Sequence, residues 1–314
     1  MSKPKPKQLW VTYLRAIAAM FCWAITFVWY KIAYETYRPY EVVFLRLLLA
    51  ASILFAVILI GRKWEKIAGK DLWRLMGVAF FEPFLYFNGE ANAMQYVSSS
   101  LASIIIATIP IFAALGAWLF LKERLSIYVI LGVIVSCLGV VIMSFGSTEL
   151  KATLIGIMFL TLAIFGAVGY SLLVRPLTLK YSTLSIVAYQ SLFGTLYFLP
   201  LFLIVDGSHF MNVSHSLKGI YTIIAMSLFA TIGAFVLFTD VIRSLGVAKS
   251  NIFTNLIPVF TVVLAFLILG DQIGLRTIIG LSLTLLGLLL SQYTDLKKLK
   301  QRYLLGKSVA TQRN

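Results

Sequence analysis

A chain of 314 residues that is 60% hydrophobic and only 12% charged does not fit a water-soluble domain, which is about 45–50% apolar and about 25% charged. The mean hydropathy of +0.93 agrees. Because a spanning helix needs about 20 mostly apolar residues, the composition predicts an all-α integral membrane protein in a lipid bilayer. The net charge of +15 does not indicate nucleic-acid binding, since excess Lys and Arg in a membrane protein mark cytoplasmic loops.

The apolar runs predict ten transmembrane helices, because runs of this length without alternation do not fit barrel strands. The first run has no small-residue cleavage site, so we expect it to be retained and not removed as a signal peptide. The loops are short and leave no room for a soluble domain. In chain order, the predicted spans are 9–33, 42–60, 72–93, 98–121, 127–145, 154–174, 184–205, 220–241, 248–269 and 277–293.

Positive charge is distributed unevenly between the two sides of this topology. Twenty of the 27 Lys and Arg residues fall on the side of the N-terminus, five fall on the other side, and Arg15 and Arg46 lie within spans. Because Lys and Arg concentrate in cytoplasmic loops, we expect a multi-pass protein of the plasma (bacterial inner) membrane with both termini in the cytoplasm. Residues 294–314 then form a basic cytoplasmic tail.

The chain contains an internal repeat at a displacement of 148 residues. The two copies, 9–146 and 150–293, hold five predicted spans each, and an odd number of spans turns the second copy upside down. Inverted repeats are typical of secondary transporters, which bind their substrate near the membrane midplane. The aligned pairs include Pro110 with Pro258, Glu123 with Asp271, Gly132 with Gly280 and Gly139 with Gly287.

These motifs resemble the EamA domain of the drug/metabolite transporter superfamily. The motifs are Ile104-x5-Pro110-x12-Glu123, Ile252-x5-Pro258-x12-Asp271, Pro39-x6-Arg46 and Tyr96-Val97-Ser98. The resemblance covers residues from about 10 to 292 as two tandem copies. It implies a ten-span carrier with a central cavity that exports amino acids or other small metabolites, without naming the cargo. The second copy departs from the pattern, with Gln190 in place of Arg46 and Asp271 in place of Glu123.

Two carboxylates lie on the third predicted span. Glu82 is near its centre and Glu90 follows eight residues later, which at about 100° per residue leaves them about 80° apart, so both can face one cavity. An ionisable residue at membrane depth is a functional candidate, and Pro83 can open the helix beside Glu82. The alternative is a carboxyl group paired structurally with a neighbouring helix.

Arg46, near one end of the second span, can meet Glu90 or a substrate carboxylate through its planar donors. The alternative is a side chain that snorkels to the interface. Pro110 and Pro258 are predicted helix kinks within the fourth and ninth spans. The remaining candidates for contact with the substrate are aromatic or polar, and such residues also serve packing and helix bridging. They are Trp23, Tyr86, Asn88, Gln190 and Asn255.

Glycines recur at a spacing of seven on the fifth and tenth spans, and small residues permit close helix packing in lipid. We therefore expect these faces to pack within the chain or in a homodimer. Cys22 and Cys137 have no Cys or His at metal spacing, and the chain has no ATP-binding or dinucleotide motif. We expect no metal, cofactor or catalytic residues, but a small-molecule substrate moved by a gradient. The alternative is a membrane-embedded protein without transport activity, either a lipid-modifying enzyme or a receptor or assembly factor.

Overall fold

The computed structural model describes residues 6–97, 99–123, 125–144, 154–269, 274–276, 278–283, 285–287, 289–291 and 293. Within these residues every regular element is a helix, so the all-α prediction is confirmed. Six helices are long and apolar enough to cross a membrane. They are Leu9–Ala33, Pro39–Ile60, Leu154–Thr178, Thr183–Asn212, Leu217–Leu245 and Val247–Ile268.

The other apolar helices are shorter or interrupted. In the first half the helices are α1 (Pro6–Ala33), α2 (Pro39–Ile60), α3 (Gly69–Ala79), α4 (Tyr86–Ala93), α5 (Ser99–Ile106), α6 (Ile109–Leu121) and α7 (Ile127–Ser144). In the second half they are α8 (Leu154–Thr178), α9 (Thr183–Leu201), α10 (Gly207–Asn212), α11 (Leu217–Ala225), α12 (Phe235–Leu245), α13 (Val247–Asn251) and α14 (Leu256–Leu269). A last apolar helix lies within Ile278–Ser291.

Irregular helical stretches join several of these elements. π-helical turns at Phe80–Leu85, Phe202–Asp206 and Met226–Ala234 join α3 to α4, α9 to α10 and α11 to α12, and a 3-10 turn at Ile252–Asn255 joins α13 to α14. The backbone of Glu82 is extended, with φ −147° and ψ 115°. The cause is the proline that follows, because proline disfavours the helical conformation of the residue before it.

Pro110 and Pro258 do not kink a continuous helix as the sequence predicted. Pro110 lies in the first turn of α6, just after the break between α5 and α6. Pro258 lies in the first turn of α14, just after the 3-10 turn. The N–H that proline lacks has no helical partner in a first turn, so proline fits there without loss of a hydrogen bond. The helix is therefore interrupted immediately ahead of each proline.

Contacts between loops define two ends of the molecule. At the upper end, loop 34–38 meets loop 213–216, where the hydroxyls of Thr36 and Ser216 lie 3.0 Å apart. At the lower end, loop 61–68 meets loop 179–182, where the Ser182 hydroxyl donates to Glu65 at 2.9 Å. Nearby, a hydrogen bond from Lys180 lowers the pKa of the Asp71 carboxyl, so this contact is an ion pair at neutral pH.

Glycines allow the closest helix contacts. A Cβ atom added at Gly89 on α4 would lie 2.3 Å from the carbonyl oxygen of Phe159 on α8. A Cβ added at Gly132 on α7 would lie 2.5 Å from the carbonyl oxygen of Gly287 on the last helix. The backbones touch at both places, as small residues permit. The glycine seam between Gly132 and Gly287 therefore forms within one chain.

Replacing Gly89 with alanine is expected to destabilise the protein by about 1–3 kcal/mol, the usual cost of overpacking, because α4 must move away from α8. Gly69→Ala is the matched control, since a Cβ at Gly69 meets no atom within 4 Å. The midpoint of thermal unfolding in detergent measures both variants. Equal midpoints for Gly89→Ala and the wild type would contradict the tight contact.

Candidate functional site

A cavity lies between helices of both halves of the chain. It contains about 480 Å³ of space between atoms, including the part that opens to solvent. The first half contributes walls from α1, α2, the segment around α4 and the break between α5 and α6, and the second half contributes α8, α12 and the chain from α13 to α14. Aromatic side chains form much of the wall, namely Trp23, Tyr86, Phe87, Tyr170 and Phe238.

Arg46 is the largest fully buried side chain, with 1% of its surface exposed. Its Nη1 donates to the Tyr30 hydroxyl at 3.0 Å, and its Nε donates to the Thr231 hydroxyl in the second half at 2.9 Å. The guanidinium carbon lies 4.2 Å from the centre of the Phe87 ring, a cation–π contact. Arg46 therefore lies in the interior and does not snorkel to the membrane surface.

Glu90 is joined to Arg46 through a tyrosine and not directly. Its carboxylate accepts hydrogen bonds from the hydroxyls of Tyr30 at 3.2 Å and Tyr86 at 3.0 Å. Tyr86 precedes Glu90 by one helical turn on α4, so their side chains meet on one face. A buried charge needs a partner of opposite charge and hydrogen bonds. The chain Arg46–Tyr30–Glu90 supplies both and leaves the pair balanced.

Glu82 is held by its backbone, and its side chain is left free. Because the helix is open there, the carbonyl oxygen of Glu82 accepts a hydrogen bond from the Gln190 amide at 2.9 Å. Its carboxylate lines the cavity and only 5% of the residue is exposed. Within the described residues this carboxylate forms no hydrogen bond or ion pair. Glu82 is thus a buried acid available to a proton or to a bound molecule.

Trp23 and Tyr86, two other predicted site residues, also line the cavity. The Trp23 indole N–H donates to the carbonyl oxygen of Ala230 at 3.2 Å, which orients the ring. In α12, Phe235 and Phe238 meet this ring edge to face, with centroids 5.2 and 4.9 Å away. The aromatic wall therefore links the two halves.

The predicted candidates Asn88, Gln190 and Asn255 do not line the cavity. Asn88 on α4 accepts from the Tyr40 hydroxyl on α2 at 3.4 Å, and Asn255 donates to the Ser136 hydroxyl on α7 at 2.6 Å. The Gln190 side-chain amide bonds the backbone carbonyl of Glu82, as described above. These three amides bridge helices, which was the alternative reading of such residues.

Several polar residues of the cavity were not predicted. Ser171 on α8 and Asn251 on α13 bond each other, with the Asn251 amide donating to the Ser171 hydroxyl at 3.1 Å. The repeat contained a signal that could have found this wall. Displacing Trp23 and Glu90 by 148 residues gives Ser171 and Phe238, and both line the cavity. Among the described residues, no group of three or more His, Cys, Asp or Glu side chains could hold a metal ion.

Comparison with known proteins adds independent findings. The EamA-like transporter family matches residues 10–145 and 154–293, as two tandem copies. An uncharacterized transporter of Archaeoglobus fulgidus is 28% identical over 284 residues, which are 89% of this chain and 96% of that protein. The uncharacterized transporter YetK of Bacillus subtilis is 28% identical over 75% of this chain and 74% of its own length.

A third relative, from Streptantibioticus cattleyicolor, is named a probable terminal-alkyne amino-acid exporter. It is 28% identical over 196 residues, which are 62% of this chain and 64% of that protein. A crystal structure of a further protein superposes with a TM-score of 0.74 over 90% of this chain and 97% of that one, at 14% identity. At that identity the likeness shows a shared fold alone.

Proposed function

Because this chain belongs to the EamA-like transporter family, and so is a membrane transporter and not an enzyme, we propose that it is a gradient-driven carrier working by alternating access. We propose that it exports small metabolites such as amino acids across the plasma membrane. The observation that carries this proposal is the free, buried carboxylate of Glu82 in a cavity built from both halves.

The directions of the helices support ten spans arranged as two inverted repeats. α1 begins near the lower end and finishes at the upper end, beside loop 34–38. α8, with which the repeat aligns it, begins at the upper end, where Phe159 stacks on Tyr96 after α4. α8 then finishes at the lower end, beside Ser182. Carriers with inverted halves alternate by moving one half against the other around a fixed central site.

Matching interruptions in the two halves also support this mechanism. The π-helical turn Phe80–Leu85, displaced by 148 residues, falls within Met226–Ala234. The 3-10 turn Ile252–Asn255 likewise corresponds to the end of α5 and the break before α6. Secondary transporters place discontinuous helices at their binding sites, and π-helical turns are frequent at functional sites.

The charges in the cavity favour a cargo that carries an amino group. Arg46 and Glu90 balance each other, which leaves the carboxylate of Glu82 for an ammonium group or a proton. The Nη2 of Arg46 donates no hydrogen bond to the described residues, so it remains available to a carboxylate. An amino acid offers both groups, in keeping with the name of the relative from Streptantibioticus cattleyicolor. The aromatic wall suits an apolar side chain.

The topology is tested by reporters of compartment fused along the chain. We expect fusions after Lys70 and at the C-terminus to be cytoplasmic and a fusion after Ser147 to be external, which places the lower end in the cytoplasm. Fusions after Lys122 and after Gln272 should fall on opposite sides of the membrane. If both fall on the same side, the repeats are parallel and the inverted carrier is excluded.

Transport itself is tested in two steps. A metabolite screen of cells that overexpress the protein identifies solutes depleted from the cytoplasm, and flux of each depleted solute is then measured in liposomes with and without an imposed pH gradient. We expect a solute to cross unaltered. Altered lipid would indicate an enzyme, and no movement of any depleted solute would indicate a receptor or assembly factor, so either result refutes the proposal.

A further inference from the structure

At the upper end of the cavity, a lysine closes one helix onto its neighbour. Lys31 lies in the last turn of α1, and its Nζ donates to the carbonyl oxygens of Met94 at 2.9 Å and Val97 at 3.0 Å. These carbonyls follow the C-terminus of α4, where unpaired oxygens and the helix dipole favour a cation. We name this contact the upper cap.

At the lower end, arginines make the corresponding contact. Arg175 lies in the last turn of α8, and its Nη1 donates to the carbonyl oxygens of Ile242 at 2.6 Å and Arg243 at 2.5 Å, at the C-terminus of α12. In return, the Arg243 guanidinium donates to the carbonyls of Thr178 and Tyr181 at the end of α8. We name this reciprocal contact the lower cap.

The two caps correspond under the internal repeat. A displacement of 148 residues carries Met94 onto Ile242 and α1 onto α8, so Lys31 and Arg175 occupy the last turns of matching helices and each binds one of these two matching carbonyls. The caps nevertheless lie at opposite ends of the molecule, because the matching helices run in opposite directions. The same kind of contact, a basic side chain bound to carbonyls at a helix C-terminus, is thus present once at each end of the molecule.

Each cap also lies directly beyond the cavity. On three of the four capped helices, the capping residue or carbonyl lies four residues past a side chain that lines the cavity, which is about one helical turn or 6 Å. The pairs are Glu90 with Met94, Ser171 with Arg175, and Phe238 with Ile242. A molecule that leaves the cavity between α1 and α4, or between α8 and α12, must therefore pass a cap.

We propose that the upper and lower caps are the two gates of the carrier, an inference that rests on the proposed function. The upper end opens between α1 and α4 when Lys31 leaves its carbonyls, and the lower end opens between α8 and α12 when Arg175 and Arg243 leave theirs. Both caps are formed in this structure. Transport then breaks one cap at a time.

Labelling of a cavity thiol tests this proposal without knowledge of the cargo. Ala167→Cys places a thiol in the cavity wall after Cys22 and Cys137 are changed to alanine. A membrane-impermeant maleimide is added to right-side-out or inverted vesicles. Arg175→Gln is expected to raise the labelling rate from the lower side about tenfold, the population shift that one charge-assisted hydrogen bond can supply. Lys31→Gln should raise it similarly from the upper side.

Two lysines at the same ends serve as matched controls. Lys180 binds the carboxylate of Asp71 at the lower end, and Lys218 binds that of Glu35 at the upper end, so neither caps a helix that lines the cavity. Lys180→Gln and Lys218→Gln should leave both labelling rates unchanged. Rates that rise on the same side for Arg175→Gln and Lys31→Gln, or that do not change, would overturn the proposal.

A second variant keeps the test decisive if a glutamine variant does not reach the membrane. Arg175→Lys retains a cation without the planar fork that spans two carbonyls, and should raise labelling from the lower side about twofold. A rate equal to that of the wild type would overturn the lower gate.

Flux in the same vesicles separates the gate proposal from the proposed function. Unchanged labelling with normal flux refutes the gates alone, whereas a wild type that moves no depleted metabolite refutes the proposed function.

Discussion

Replacing Glu82 with glutamine is expected to lower transport about 10- to 100-fold, the effect of losing one charge-assisted contact, or to uncouple transport from the pH gradient. Glutamine keeps the shape of the side chain but can neither release a proton nor hold an ammonium group by charge. Because the Glu82 carboxylate bonds no described residue, the protein should remain folded and inserted. Flux of the identified solute across a pH series, at equal protein per vesicle, measures the effect.

Two further glutamine variants define the specificity of this result. Glu90→Gln should reduce flux less, because its carboxylate is already occupied by Tyr30 and Tyr86. Glu35→Gln should leave flux within about twofold, since Glu35 is more than half exposed in a surface ion pair, and such pairs contribute little. If Glu82→Gln shows the flux and pH profile of the wild type, Glu82 has no part in the mechanism.

Replacing Arg46 with glutamine is expected to have the largest effect on stability. The variant leaves the buried Glu90 without a compensating charge and removes donors to Tyr30 and Thr231. Breaking a buried charge pair from one side costs about 3–5 kcal/mol. The free energy of unfolding in detergent should fall by this amount, and flux should be lost. Lys66→Gln, on the exposed lower loop, is the control and should change neither quantity.

The double variant Arg46→Gln/Glu90→Gln tests the reason for that loss. If uncompensated charge on Glu90 is the cause, neutralising it should restore part of the lost stability, and the two effects will not add. Strict additivity would instead show that Arg46 acts through its packing on Phe87 and its bond to Thr231, independently of Glu90.

The sequence could predict the helical fold and the acidic third span, because both follow from hydropathy. The cost of burying charge singled out Glu82, Glu90 and Arg46, and all three line the cavity. The link between Arg46 and Glu90 could not be predicted, because it depends on Tyr30, whose ring resembles any interfacial aromatic in the sequence. Only the fold places Tyr30 of α1 within hydrogen-bond distance of Arg46 on α2 and Glu90 on α4.

The sequence could not predict which polar amide side chains face the cavity, for a different reason. A regular helix turns about 100° per residue, but π-helical turns change that register on two of the helices around the cavity. Asn88 follows such a turn, and its side chain bonds Asn92 instead of facing the cavity. The prediction that Pro110 and Pro258 kink continuous helices was wrong for another reason. Hydropathy runs unbroken across both helix interruptions, so only the backbone structure reveals them.

The glycine seam between α7 and the last helix has a consequence for inherited variation. The backbones are in contact at Gly132 and Gly287, where a Cβ atom at either position would lie 2.5 Å from the carbonyl oxygen of the other. A missense change at either codon therefore acts inside the molecule that carries it, because it pushes two helices of the same chain apart.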